Sequence, residues 1–204
     1  MNAVVSKRKI LIWEIICVLG IVMPGGPLHE VFAQSGGWRP LALIAPVNES
    51  VWEHLKMFFW PWLLMACIQY LIMRPRIPHY WYGKLVALVL TPVVSSILYY
   101  IYMAVEHATG DFSPSDVVNI LLSTVSVCIG QAACYFVLIR PAVSADFTRF
   151  TKAGYAVLVF AFSTFTYFAP PIFLFEQNHH YQPIGEYGID AAPQVGPHPW
   201  DIED

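Results

Sequence analysis

The chain has 204 residues, of which 57% are hydrophobic and 12% charged, and its mean hydropathy is +0.54. Soluble domains average about 45–50% apolar and about 25% charged residues, so a soluble domain of this size could not bury so much apolar surface. The net charge of −3 and the four cysteines argue against a nucleic-acid-binding protein and against a disulfide scaffold. The composition therefore indicates an integral membrane protein.

Several apolar stretches approach the length of about 20 residues that a helix needs to cross a bilayer. They predict an all-α, polytopic membrane helical bundle with about five transmembrane helices, in one membrane domain over residues 1–175. The predicted spans cover residues 10–23, 55–73, 85–105, 117–139 and 153–175, with an outer loop at 24–54. Residues 176–204 are predicted to form an extracytoplasmic tail that is flexible at its end.

The basic residues predict the orientation of these spans. Most lie in the N-terminal tail or in the second and fourth connections, whereas Arg39 and Lys56 lie on the other side. Because basic flanks stay cytoplasmic, we expect the N-terminus inside and the C-terminus outside, in a multi-pass protein of the cell (cytoplasmic) membrane. The expected partners are the lipid bilayer and either a membrane protein or a second copy of the chain; nucleic acid is not expected.

The first apolar stretch shares some features with a signal peptide. It has a basic start and a short apolar run, and the Val-Phe-Ala sequence at 31–33 mimics a cleavage site. The proline and glycine residues at 24–27, together with His29 and Glu30, separate that site from the apolar run. We therefore expect an uncleaved span, and cleavage would not change the orientation of the other helices.

A polar stretch marks the start of the second span. Asn48 is a good N-cap residue, so a helix is predicted to begin near it. At 100° per residue, three charged side chains share one helix face: Glu49, Glu53 and Lys56. Ser50 and His54 flank this face, and the opposite face is apolar.

Carboxylate and imidazole groups, which dominate this stretch, are ligands of zinc and related metals. The pattern predicts a site for a divalent transition metal such as zinc, with these ligands: His29, Glu49, Glu53 and His54. Glu53 and His54 are also candidate catalytic acid–base groups, and His179 and His180, beyond the fifth span, are further candidate ligands. The structural alternative is that the carboxylates stabilise the helix N-terminus and Glu53 pairs with Lys56.

Two other polar features lie inside predicted spans. An ionisable residue such as Glu14 suggests function by default. Glu14 lies close enough to the basic cluster at 7–9 to snorkel or pair with it, and we expect this interfacial role. Ser126, Gly130 and Cys134 form a ridge of small residues that favours close helix packing.

Residues 46–56, with the sequence PVNESVWEHLK, resemble the signature of an uncharacterised bacterial integral membrane family, one of the domains of unknown function. The chain is also similar to that family at Leu28-His29, at the Ser-Gly-Gly stretch that follows, and at Tyr187-Gly188-Ile189, which we expect to fold back onto the outer face. The resemblance supports the topology and implies that the stretch from Asn48 to Lys56 defines the family. It implies no activity.

Three functions fit these features. The first is a metal-dependent membrane enzyme whose outward-facing Glu/His site acts at headgroup level. The second is an ion or small-solute transporter in which Asn119, Ser123 and Gln131 extend a path inward from the same carboxylates. The third is a non-catalytic accessory or assembly protein whose outer loop docks a partner.

Overall fold

A computed structural model describes residues 5–73, 77, 79–109, 115–140, 147–179 and 182–191. The described chain is an all-α helical bundle with one small hairpin. Its helices are α1 (Lys7–Val22), α2 (Gly25–Gln34), α3 (Val51–Met73), α4 (Tyr80–Thr109), α5 (Asp116–Leu138) and α6 (Thr148–Thr164). Short 3₁₀ helices cover Arg39–Leu43 and Gly188–Ala191, and the antiparallel strands are β1 (Glu176–His179) and β2 (Gln182–Tyr187).

Within the described residues, four stretches are long and apolar enough to cross a membrane. They are Lys7–Gln34, which joins α1 and α2, followed by Val51–Met73, Tyr80–Thr109 and Val117–Leu138. The second, third and fourth predicted spans coincide with these helices to within five residues at each end. The first, residues 10–23, covers only the first part of Lys7–Gln34, because α2 forms a helix within the predicted outer loop. A membrane helix satisfies its own backbone hydrogen bonds, so it needs no partner segment to form in lipid. For this reason the hydropathy of the local sequence was sufficient to find these helices.

The predicted fifth span, residues 153–175, differs from the structure. Helix α6 has 17 residues and ends at Thr164, a rise of about 26 Å against a hydrocarbon core of about 30 Å. The chain that follows forms turns and contains Pro170 and Pro171, which lack the N–H group that a helix needs. The carbonyl of Thr166 instead accepts a hydrogen bond of 2.7 Å from the backbone N–H of Ile189.

The chain divides into two compact units. The first comprises residues 1–25 and 58–159, and the second comprises residues 26–57 and 160–204. The first unit contains α1, α4, α5 and most of α3 and α6. The second contains nearly all of α2, the start of α3, the end of α6 and the hairpin.

The first unit exposes apolar side chains and buries polar ones. Leu19, Leu71 and Ile101 are each more than half exposed, whereas Glu14 and Lys84 are almost completely buried. This distribution is the inverse of the one in soluble domains, where ionised side chains cover the surface. It suits a bundle whose outer surface contacts lipid.

Helices α4 and α5 pack closely through small residues. The predicted ridge of Ser126, Gly130 and Cys134 is buried, as close packing requires. Thr91 of α4 lies over the α-carbon of Gly130, so a β-carbon at that position would overlap the threonine hydroxyl. Glycine is therefore required for the observed approach of the two helices.

Glu14 does not take the interfacial role that its neighbours in sequence suggest. Lys84 Nζ lies 2.8 and 2.7 Å from its two carboxylate oxygens, and Gln69 Nε2 donates to Oε1 at 2.9 Å. With its amide oriented to satisfy its neighbours, Gln131 donates to Oε2 at 2.6 Å. Because a buried charge is tolerated only when it is paired and hydrogen-bonded, this network explains how Glu14 is accommodated inside the unit.

The second unit has an apolar core of its own, built from distant parts of the chain. Its buried members are Phe32, Ala42, Ala45, Val47 and Ile189. The fold-back expected for the Tyr187-Gly188-Ile189 stretch is thus observed at Ile189. Trp52 stacks on Phe162, with 4.4 Å between the ring centroids, so the start of α3 is also fixed by aromatic packing.

Candidate metal centre

Helix α3 begins at Val51, three residues later than the predicted start near Asn48. Ser50 Oγ accepts a hydrogen bond from the Glu53 N–H at 3.3 Å, as an N-cap side chain does. Asn48 instead accepts from the Ser50 N–H and donates to the carbonyl of Gly188. As a consequence Glu49 precedes the helix, and the predicted helix face that it was to share with Glu53 and Lys56 does not include it.

Three of the predicted metal ligands converge in the second unit. His29 comes from α2, Glu49 from the loop before α3, and His54 from the first turn of α3. His29 Nε2 lies 3.4 Å from Glu49 Oε1, and His54 Nε2 lies 3.3 Å from Glu49 Oε2. One ligand atom from each of the three residues lies within 4.8 Å of the other two.

The other nitrogen of each histidine ring is held by an acceptor. His29 Nδ1 is 3.1 Å from a carboxylate oxygen of Glu30, and His54 Nδ1 is 2.9 Å from the carbonyl oxygen of Ser50. Carboxylate and carbonyl oxygens only accept hydrogen bonds, so each Nδ1 carries a proton. In a neutral ring the lone pair is then on Nε2, directed at the carboxylate of Glu49. Two acceptors facing each other require a proton or a metal cation between them.

Glu49 supplies the negative charge of this cluster. Burial alone raises the pKa of its carboxyl, but the hydrogen bonds and charges of His29 and His54 outweigh burial and hold this pKa well below its usual value. The carboxylate is therefore ionised at physiological pH. Its side chain is 49% exposed, and those of His29 and His54 are 29% and 38% exposed, so the centre is partly accessible from outside the protein.

Glu53 does not reach this cluster, although it was predicted as both a metal ligand and a catalytic group. Its Oε2 accepts from Lys56 Nζ at 2.8 Å and from the Val47 N–H at 3.1 Å, and its Oε1 accepts from the hydroxyl of Thr166 at 2.7 Å. The charged side chains of Glu53 and Lys56 are both buried. The structure thus supports the structural alternative for Glu53, an ion pair with Lys56.

Of the two tail histidines, the structure describes only the backbone of His179. His179 is the last residue of β1 and pairs with Gln182 of β2 in the hairpin register. His180 lies outside the described residues. Among the side chains that the structure describes, the predicted ligands that lie together are His29, Glu49 and His54. The sequence did not predict the contact of Glu30 with His29.

The fold and the cluster define a membrane helical bundle with a candidate metal centre of two histidines and one carboxylate. Residues 1–189 match a family described as a family of unknown function, DUF6512, and the chain belongs to this family. No curated protein and no solved structure matches the chain. The resemblance found in the sequence is thereby confirmed as membership of an uncharacterised family.

Proposed function

We propose that this protein is an integral membrane protein that binds one divalent transition-metal ion, zinc in the first instance, through His29, Glu49 and His54. The observation that carries the proposal is the convergence of three ligand groups from three chain segments within 4.8 Å. Two histidines and one carboxylate form a ligand set of catalytic zinc sites, which keep a position open for water or substrate. Structural zinc sites, in contrast, rely mainly on cysteine.

The spacing of the ligand atoms supports a zinc-sized ion. In a tetrahedral site with bonds of about 2.0–2.1 Å, neighbouring ligand atoms lie about 3.4 Å apart. His29 Nε2 lies 3.4 Å from Glu49 Oε1 and His54 Nε2 lies 3.3 Å from Glu49 Oε2, so each ring has about this spacing to a different oxygen of the carboxylate, as it would if both oxygens faced one ion. The hydrogen bonds at Nδ1 of both rings also match the usual arrangement around metal-bound histidines, in which the second ring nitrogen donates to a carboxylate or a carbonyl.

The charge of the centre favours an anionic or polar ligand at the open position. Two neutral imidazoles, one carboxylate and a divalent ion leave a net charge of +1. The partial exposure of all three side chains leaves room for water or a substrate group. When bound, the ion would supply a Lewis acid and lower the pKa of a coordinated water, which is the chemistry of hydrolysis.

The position of His54 on α3 supports a centre near the membrane boundary. Helix α3 has 23 residues, a rise of about 35 Å, whereas the hydrocarbon core is about 30 Å thick. His54 lies in the first turn of α3 and Glu49 just before it, so both are at one end of a helix long enough to cross the core, and we propose that this end lies at headgroup level. We therefore propose that the substrate is a lipid-linked or membrane-proximal molecule on the outer side.

Metal titration of the purified, detergent-solubilised protein tests the binding step. After metal removal, the parent should take up one zinc or cobalt ion per chain, and His29→Ala, Glu49→Ala and His54→Ala should each lose tight binding. His107→Ala, on the exposed end of α4, is the matched control and should bind like the parent. A parent without stoichiometric metal, or a Glu49→Ala variant with full affinity, would overturn the proposal and leave the cluster as two histidines in contact with a carboxylate.

The catalytic step has a separate test. Zinc-loaded parent should hydrolyse an ester or phosphoester presented in mixed micelles, and the rate should fall to background in the Glu49→Gln variant. A short-chain soluble analogue of the same substrate should react more slowly, because the centre lies at headgroup level. Tight zinc binding without any such hydrolysis would reject the enzymatic part of the proposal and keep the metal site.

A further inference from the structure

Asn48, the residue before Glu49, is fixed at both ends of its side-chain amide. Its Nδ2 donates to the carbonyl of Gly188 at 2.8 Å, and its Oδ1 accepts from the backbone N–H of Ser50 at 2.9 Å. Asn48 is only 4% exposed, and Ser50 is buried as well. The backbone is therefore anchored on both sides of Glu49, whose own side chain remains half exposed.

The partner of Asn48 is itself held in place. Gly188 has a φ of +64°, which favours glycine, and a β-carbon there would lie 2.6 Å from the carbonyl oxygen of Thr166. The N–H of Ile189 donates to that same carbonyl at 2.7 Å. The side chain of Ile189 is buried in the apolar core of the second unit, so the carbonyl of Gly188 has a fixed position.

We infer that Asn48 and Gly188 form a tail clip, defined by the hydrogen bond between these two residues, that positions Glu49 between His29 and His54 for metal binding. This inference rests on the proposed metal site. Asn48 is a positioning residue, since both polar atoms of its amide are used within the protein and neither is available to a metal ion. A segment close to the C-terminus thus completes a centre whose ligands all lie in the first third of the chain.

The clip predicts a specific loss of metal affinity. Removing a group that hydrogen-bonds to a metal ligand typically lowers affinity by about 10–100-fold. Asn48 acts on Glu49 through the backbone, so we expect a loss at the lower end of that range, about 10-fold, for Asn48→Ala. Gly188→Ala should weaken the same contact from its other end. Because both substitutions act on one contact, the double variant should lose little more affinity than either single variant.

The experiment measures zinc affinity and the cobalt absorption spectrum of the full chain in detergent. Gly36→Ala is the matched control, because Gly36 also has a positive φ, of +71°, but no atom lies within 4 Å of the position that a β-carbon would take there. It should keep the parent affinity and spectrum despite similar backbone strain. Asn48→Asp, which is close to Asn48 in size, loses the donor to Gly188 and should reproduce the affinity loss even if Asn48→Ala fails to fold.

The outcomes separate this inference from the proposed function. Tight binding by the parent with weakened, non-additive binding by the clip variants supports both. Tight binding by the parent, with unchanged affinity and spectrum in Asn48→Asp and Gly188→Ala, overturns the clip and leaves the metal site standing. A parent that binds no metal overturns the proposed function, and the clip's role in metal binding with it.

Discussion

Glu49 and Glu53 show how surroundings decide the role of identical side chains. Glu49 is half exposed and lies between two imidazole rings, whereas Glu53 is buried against Lys56 and Thr166. A half-exposed carboxylate can be reached by a ligand from outside, whereas a buried ion pair loses much stability when either partner changes. Residue type alone therefore does not separate a candidate ligand from a structural ion pair.

Glutamine substitutions should separate these two roles. Glu53→Gln leaves the charge of Lys56 buried without its carboxylate, which should lower the free energy of unfolding by about 3–5 kcal/mol. Glu49→Gln should change stability far less and abolish tight zinc binding. Denaturant titration in detergent and zinc stoichiometry check both variants. Loss of zinc with unchanged stability in Glu53→Gln would show instead that Glu53 is a ligand.

At the scale of elements, the helices of the first unit are joined by one buried polar network. Glu14 of α1 accepts from Lys84 of α4 and from Gln69 of α3. Lys84 also lies 5.7 Å from the ring centroid of Trp62, a cation–π distance. Each charged residue of this network has lost its hydration by being buried. Removing one partner therefore lowers stability strongly, whereas replacing both partners by apolar residues of similar size does not.

Paired substitutions test this network. Glu14→Gln leaves Lys84 unpaired and should lower the free energy of unfolding by about 3–5 kcal/mol, whereas Glu14→Gln with Lys84→Met should recover most of it. Lys9→Met is the matched control, because Lys9 belongs to the exposed basic cluster that the sequence predicted as the partner of Glu14. Unfolding in mixed detergent measures all three, and a large cost for Lys9→Met would contradict the pairing with Lys84.

The contact between α4 and α5 gives a second prediction at this scale. Gly130→Ala should destabilise the protein by about 1–3 kcal/mol, because its methyl group overlaps the hydroxyl of Thr91. Thr91→Ala should restore part of that loss in the double variant. Gly26→Ala, in α2 with open space around it, should be neutral or slightly stabilising. Thermal unfolding of the parent, the two single variants, the double variant and Gly26→Ala checks this, and additive effects at Thr91 and Gly130 would contradict the contact.

At the scale of the whole molecule, the distribution of basic residues predicts an N-terminus inside and a C-terminus outside. Opposite termini need an odd number of crossings, so this prediction requires α6 to cross the membrane in addition to the four candidate spans. A fluorescent protein fused to the N-terminus should fluoresce, and alkaline phosphatase fused to the C-terminus should be active, since phosphatase folds only outside the cytoplasm. The exchanged fusions are the controls and should be inactive. Activity of a C-terminal cytoplasmic reporter would place the candidate metal centre on the other side of the membrane.

Predictions that depend on local sequence agreed best with the structure. Hydropathy located four apolar helices, spacing placed Glu53 and Lys56 on one face of α3, and the small residues around Gly130 indicated close packing. These properties depend on neighbours within a few turns of one helix. Helix ends were less accurate, because Asn48 and Thr166 have backbone or side-chain partners near Gly188 that draw them out of helices.

By itself, the sequence determined that this is an apolar helical protein with a histidine- and carboxylate-rich stretch at the start of α3. Only the tertiary structure decided which of those groups meet: His29 joins Glu49 and His54, Glu53 joins Lys56, and Glu14 joins Lys84. The physical reason is sequence separation. Contacts such as the one between Asn48 and Gly188, 140 residues apart, depend on how several elements pack together, and no local pattern encodes that packing.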